Sequence, residues 1–71
     1  MSEDHQLIGK VARVTGAIHP GEMGEVHLAI RGGTESYYAY ASDPAEEIPD
    51  GTRVIVLDHE PPRTVIVSRY P

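Results

Sequence analysis

Histidine, serine and carboxylate side chains are the groups in this sequence that could support metal binding or nucleophilic chemistry. No histidine stands four residues from another metal ligand at helical spacing, and no serine lies in a G-x-S-x-G context. The adjacent carboxylates Glu46 and Glu47 are typical of a solvated loop rather than of an acid–base pair. We therefore expect no catalytic residue, no metal and no cofactor. The histidines are His5, His19, His27 and His59, and the serines are Ser2, Ser36, Ser42 and Ser68.

Three tyrosines within four positions are the most informative aromatic residues of the chain. In an extended strand, successive side chains alternate between two faces. Tyr37 would then share a face with Ala39 and Ala41, while Tyr38 and Tyr40 share the other. If the small alanines accompany the core, Tyr38 and Tyr40 face outward.

A partner-binding patch follows from this phase of the alternation. Tyr38 and Tyr40 would be its anchors, with His27 and Ala29 of the preceding strand as their floor. Tyrosine combines a large apolar ring with a polar tip, which suits an interface. Because aromatic residues are also ordinary sheet formers, a purely structural role is the alternative.

The elements that must position these side chains are short and separated by glycine and proline. The pattern predicts five strands rich in β-branched and aromatic residues. Between the third and fourth strands, Asp43 could cap a single helical turn with Pro44 at its first position. The strands are expected over residues 7–18, 25–30, 36–41, 52–58 and 64–69, and the helical turn over residues 43–48.

The second strand shows the clearest alternation, and the Gly32–Gly33 pair after it predicts a tight hairpin to the third strand. The fourth and fifth strands are apolar at consecutive positions, as expected where a barrel closes. The connection 20–24 is interpreted as a tight loop in which Met23 covers one end of the core. The expected core comprises Val11, Val14, Val26, Leu28, Ile30, Val54, Val56, Val65 and Val67.

These elements predict an all-β fold, a small five-stranded OB-fold barrel with a short helical turn between strands 3 and 4. An SH3-like barrel is the structural alternative. The 71 residues leave room for one domain only, expected over residues 7–71, with residues 1–6 as a polar tail or linker.

Charge argues against a nucleic-acid partner. Six Lys and Arg residues stand against eleven Asp and Glu residues, a formal net charge of −5, whereas phosphate binding depends on clustered basic residues. Four acids form an acidic lip between the third and fourth strands: Asp43, Glu46, Glu47 and Asp50. No apolar run approaches the roughly 20 residues of a membrane-spanning helix, and the first residues lack a signal-peptide pattern, so the chain as given is expected to be soluble.

The order of several short segments resembles the C-terminal soluble domain of NfeD-like membrane proteins. The resemblance spans residues 7–70, and it is carried by the order of the segments rather than by any one of them. The segments are Leu7-Ile8-Gly9-Lys10-Val11, Ile18-His19-Pro20-Gly21, Gly24-Glu25-Val26, Tyr38-Ala39 and Ile48-Pro49-Asp50-Gly51-Thr52-Arg53-Val54.

This resemblance implies an OB barrel that follows transmembrane helices and whose partners are membrane scaffold proteins of the stomatin, prohibitin and flotillin type. The chain shows neither those helices nor the serine-protease-like domain of some longer members, so it is expected to be an excised domain or a solitary derivative without protease activity. In the full-length protein the domain would be membrane-associated, on the cytoplasmic side.

Three function classes follow. The leading hypothesis is a non-catalytic interaction module that docks on a membrane scaffold protein and has no small-molecule substrate. The alternative is an OB-fold binder of single-stranded nucleic acid, with Tyr38 and Tyr40 stacking on bases and Lys10, Arg13 and Arg31 contacting phosphates. A small hydrolytic accessory domain is the third class.

Overall fold

A computed structural model describes residues 7–30 and 32–70, and five strands account for most of them. Within these residues there is no helix. The polar tail expected at residues 1–6 and the side chain of Arg31 lie outside the described residues. The strands are β1 (Val11–Gly16), β2 (Gly24–Ile30), β3 (Gly33–Ala41), β4 (Arg53–Glu60) and β5 (Thr64–Arg69).

The five strands close into a barrel in the order β1-β2-β3-β5-β4, with β4 returning to β1. Strands β3 and β5 are parallel, and every other neighbouring pair is antiparallel. The predicted hairpin is confirmed, because β2 and β3 pair from Gly24 opposite Ala39 to Ile30 opposite Gly33. This topology is the OB fold that the sequence predicts.

Strand β1 is shorter than the predicted span of residues 7–18. The chain turns at residues 7–9, where Gly9 has a φ of 89°, a conformation that side-chain-bearing residues rarely adopt. At the other end, the pairing with β2 shifts register between Val14 and Gly16. Beyond that bulge, Ile18 leaves the strand and makes an isolated bridge to Ile48.

The barrel interior confirms most of the expected core. The prediction that Val11 belongs to the core is wrong, because Val11 is 39% exposed and its neighbour Ala12 is buried instead. Two residues three positions apart point to opposite faces of a regular strand, so Val14 and Val11 cannot both face inward. Ile30 is only partly buried against the core. The buried core consists of Leu7, Ala12, Val14, Ile18, Val26, Leu28, Tyr37, Ala39, Ile48, Val54, Val56, Val65 and Val67.

Two loop residues contribute to this core where the sequence predicts a plug by Met23. Met23 is 47% exposed, whereas Ile18 and Ile48 are almost completely buried. The amide of each isoleucine donates to the carbonyl of the other, at 2.9 Å from Ile18 and 2.8 Å from Ile48. The paired loops thus satisfy their backbone polar groups while burying both side chains.

The predicted helical turn over residues 43–48 is reduced to a single hydrogen-bonded turn. The amide of Glu46 donates to the carbonyl of Asp43 at 3.0 Å, and the amide of Ala45 donates to the Asp43 carboxylate at 3.0 Å. A side chain that bonds the backbone two residues on favours a turn. The bridge of Ile48 to Ile18 then draws the chain away into the sheet.

Candidate functional site

The outer surface of strand β3 presents the two tyrosines predicted to face outward. Tyr38 is 54% exposed and Tyr40 is 37% exposed, while Tyr37 is 8% exposed and Ala39 is buried. The structure confirms the phase of the alternation. Two amphipathic rings therefore lie on one outer face, two positions apart.

The strand register separates this pair from part of its predicted floor. Glu25 lies opposite Tyr38, whereas Ala29 lies opposite Thr34 near the other end of the hairpin. Thr34 and Tyr40 are six residues apart along an extended strand, or about 20 Å. His27 and Ala29 are exposed on the hairpin as expected, but Ala29 does not lie beside Tyr40.

The neighbours of the tyrosines come instead from the loop before β2 and from strand β5. Tyr40 pairs with Ile66 of the parallel strand, and Met23 precedes Gly24, the partner of Ala39. The distinctive Pro20–Gly24 segment was the sequence signal for this loop. Its surface role and the β5 neighbour could not be read from spacing, because both depend on which strands pair.

Two open cavities flank this loop, and His19 lines both of them. The larger, of about 420 Å³, has Met23, Glu25 and Tyr38 among its lining residues. The smaller, of about 310 Å³, includes Glu22 and Tyr40. Their lining is mostly apolar. Each of the two exposed tyrosines thus borders one mostly apolar cavity.

The acidic lip is partly neutralised by residues distant in sequence. The Arg69 Nε donates to the Glu46 carboxylate at 2.7 Å, and its Nη2 donates to the Glu47 carbonyl at 2.8 Å. The His19 Nδ1 lies 3.2 Å from the Glu47 carboxylate. These contacts hold the 43–50 connection against β5 and the 17–23 loop, and the Arg69 pair reduces the free negative charge that the sequence alone indicates.

A second aromatic cluster surrounds Tyr37, which directly precedes Tyr38 but faces the core side of β3. The Tyr37 ring meets His59 edge-on at 6.0 Å between centroids, and the Arg63 guanidinium lies 5.0 Å from the Tyr37 centroid. Arg63 also donates to the Glu35 carboxylate at 3.0 Å. This hydrogen bond raises the pKa of Arg63 above its ordinary value. The cluster shows how this barrel holds a guanidinium between a ring and a carboxylate.

Among residues 7–30 and 32–70, no three His, Asp or Glu side chains are placed to hold a metal ion together. Of the phosphate contacts of the nucleic-acid hypothesis, Lys10 and Arg13 fall within the described residues, and neither lies beside the tyrosines. Arg13 lies on β1, opposite His27 of β2, so strand β2 separates Arg13 from the tyrosines of β3. Lys10 precedes β1. Glu25 is the charged residue opposite Tyr38. A third cavity, of about 270 Å³, is lined by Glu25, Tyr38 and Arg63, but this arginine is already paired with Glu35. The unpaired charges beside the exposed tyrosines in the described residues are therefore acidic.

The closed five-stranded barrel defines the class of protein: a small all-β module with the OB fold, which carries two exposed tyrosines on strand β3. Residues 11–68 match the family model of the NfeD C-terminal domain. The chain belongs to this family.

Three solved structures share the fold. One is the C-terminal domain of stomatin operon partner protein 1510-C from Pyrococcus horikoshii, with 25% identity, a TM-score of 0.78 and coverage of 100% of this chain and 98% of that one. Another is the soluble domain of the NfeD protein YuaF from Bacillus subtilis, with 31% identity, a TM-score of 0.79 and coverage of 92% and 75%.

The third is the soluble domain of a Corynebacterium glutamicum membrane protein implicated in regulation of membrane protease activity, with 27% identity, a TM-score of 0.77 and coverage of 94% and 97%. None of the curated proteins compared with the chain matched it. Residues 7–30 and 32–70 contain no helix long and apolar enough to cross a bilayer.

Proposed function

We propose that the chain is a non-catalytic interaction module of an NfeD-family membrane protein, and that it docks on a scaffold protein of the stomatin, prohibitin or flotillin type. The observation that carries this proposal is the outward placement of Tyr38 and Tyr40 beside two mostly apolar cavities. A few aromatic side chains often supply most of the binding free energy of an interface.

Two similarities support the choice of partner and setting. The Pyrococcus horikoshii protein of the same fold is named as a stomatin operon partner. The Bacillus subtilis and Corynebacterium glutamicum structures are soluble domains of an NfeD protein and of a membrane protein. As the family resemblance implies, the module would act at the cytoplasmic face of the membrane, tethered by transmembrane helices of the full-length protein.

The tyrosine face supports weak rather than tight binding of the isolated domain, because two anchors cover little area. Tethering both partners to one membrane raises their effective concentration, toward millimolar for short linkers. A contact that is weak between free proteins in solution is then sufficient to keep the two partners bound at the membrane.

The test measures binding of the purified chain to a purified stomatin-family protein by biolayer interferometry. We expect Tyr38→Ala and Tyr40→Ala each to weaken the complex by about thirtyfold, since truncating a central aromatic anchor costs about 2 kcal/mol. His27→Ala and Ala29→Ser probe the predicted floor and are expected to have smaller effects, because the register places Ala29 away from Tyr40.

Tyr70→Ala is the matched control. Tyr70 is also exposed, but it follows β5 and its amide donates to Arg53, away from β3. It should leave binding within about twofold. Thermal unfolding of each variant verifies the fold. Folded Tyr38→Ala and Tyr40→Ala proteins that bind like the parent chain would contradict the proposed site, and the absence of any binding by the parent chain would contradict the partner class.

A further inference from the structure

Two mostly apolar cavities share the lining residue His19 beside the 17–23 loop, and we refer to them together as the groove. We define the groove by His19, Glu22, Met23, Glu25, Tyr38 and Tyr40, which line the two cavities. Met23 and Tyr38 are about half exposed, so a large part of the groove surface is apolar and accessible. Aromatic and methionine side chains of this kind are enriched in protein–protein interfaces.

The charges of the groove determine what kind of molecule fits it. Glu22 and Glu25 flank Met23 in sequence, and each lines one of the two cavities. Among the described residues neither has an ion pair, and the Glu25 carboxylate only accepts a long 3.4 Å hydrogen bond from Thr15. Glu46 differs, because Arg69 already pairs with it.

The barrel already contains one cation that is held by an aromatic ring and a carboxylate together. Next to Tyr38 along β3, Arg63 lies over the Tyr37 ring at 5.0 Å and donates to the Glu35 carboxylate at 3.0 Å. Tyr38 and Glu25 are direct cross-strand partners on the outer face. They present the same pair of groups, an aromatic ring and a carboxylate, to a cation from outside.

We propose that the groove binds a segment of the partner in which arginine or lysine residues alternate with apolar residues. The cationic groups would lie between Glu22, Glu25 and the Tyr38 ring, and the apolar side chains would pack on Met23 and Tyr40. This inference rests on the proposed function, because it assigns a chemistry to the partner of the same face.

Charge complementarity disfavours two other occupants of the groove, a second copy of the chain and the chain's own first six residues. A second copy would bring a chain of net charge −5 against one of equal charge. The chain's own first six residues carry Glu3 and Asp4 and no Lys or Arg. A basic segment from a different protein is the occupant that the groove's carboxylates attract.

The probe is a fluorescein-labelled dodecapeptide of alternating arginine and leucine, followed by fluorescence anisotropy with the full chain. Two comparison peptides replace arginine by glutamate or by serine. We expect the arginine peptide to bind more than tenfold tighter than either comparison peptide at about 20 mM salt, and to weaken as salt rises, because partly exposed charge pairs are screened.

The decisive variant is the double replacement Glu22→Gln with Glu25→Gln. It should weaken arginine-peptide binding by about tenfold, since each exposed pair contributes up to roughly fivefold. The control is Asp50→Asn with Asp58→Asn, which changes the net charge equally at two residues that line neither cavity. This control should change binding by less than about twofold, which separates groove contacts from general attraction.

Equal weakening by both double variants would overturn the proposal, because general attraction would then account for the peptide binding. Tight binding of the serine peptide would also overturn it. Self-association in sedimentation, or peptide binding that tightens tenfold when residues 1–6 are removed, would assign the groove to a second copy or to the chain's own start. Should Glu22→Gln with Glu25→Gln bind the stomatin-family protein normally while Tyr38→Ala does not, this inference fails and the proposed function stands.

Discussion

At the scale of single residues, Gly24 shows how closely two segments approach behind the tyrosine face. A Cβ placed on Gly24 would lie 2.5 Å from the carbonyl oxygen of Gly16 and 2.6 Å from Cγ1 of Ile18. Both the bulged end of β1 and the buried Ile18 therefore depend on a missing side chain at this position. The loop that bears Met23 and Glu22 is anchored here.

We expect Gly24→Ala to lower the free energy of unfolding by about 2 kcal/mol, because the added methyl group meets backbone that cannot move cheaply. Urea denaturation of both proteins gives the difference. Gly33→Ala is the control, since its Cβ would meet only the Ile30 carbonyl at an ordinary 3.7 Å, and it should cost less than about 1 kcal/mol. Equal stability of the Gly24→Ala variant and the parent chain would refute the close approach.

At the scale of elements, the two long connections behave as one unit. The 17–23 loop and the 42–52 connection are joined by the reciprocal bonds of Ile18 and Ile48 and by the contact of His19 with Glu47. The amide of Gly21 also donates to the Pro44 carbonyl at 3.1 Å. The smaller cavity lies between these connections and Tyr40, so its shape depends on their docking.

Ile48→Ala should therefore destabilise the fold by about 3 kcal/mol, the usual cost of truncating a fully buried isoleucine. The exposed residue Leu57 provides the comparison, and Leu57→Ala should cost under about 1 kcal/mol. Chemical denaturation of the two variants measures both effects. A loss below 1 kcal/mol for Ile48→Ala would mean that the connections are not docked on the core as described.

At the scale of the whole molecule, the fold is compatible with nucleic-acid binding, whereas the net charge opposes it. The OB topology is used by many proteins to bind single-stranded nucleic acid, but a fold alone does not assign a function. The net charge of −5 opposes a polyanion, and the carboxylates of Glu22 and Glu25 line the tyrosine face. The surface charge is consequently the property that separates the interaction module from the nucleic-acid binder.

We expect no binding of a mixed-sequence single-stranded DNA 30-mer at about 150 mM salt, with any dissociation constant above about 100 µM. Anisotropy titration of a labelled oligonucleotide measures this directly. Micromolar binding that weakens linearly on logarithmic axes as salt increases would favour stacking on Tyr38 and Tyr40 over the interaction module.

The sequence by itself determined the local features of this protein. Alternation with a period of two correctly oriented Tyr37, Tyr38 and the β2 core, because side-chain direction in a strand depends only on neighbouring residues. The Gly32–Gly33 pair correctly predicted the hairpin, since its turn is also local. The family resemblance, which rests on the order of short segments, is confirmed as well.

Tertiary structure alone decided the features that join distant segments. Register placed Met23 and Ile66, rather than Ala29, near Tyr40. Barrel closure placed Val11 opposite Ile55, and it brought Arg69 to Glu46. These contacts depend on the packing of all five strands around one core, and a one-residue change of register would reverse every side chain of a strand. The spacing of residues along the chain therefore does not predict the register between strands.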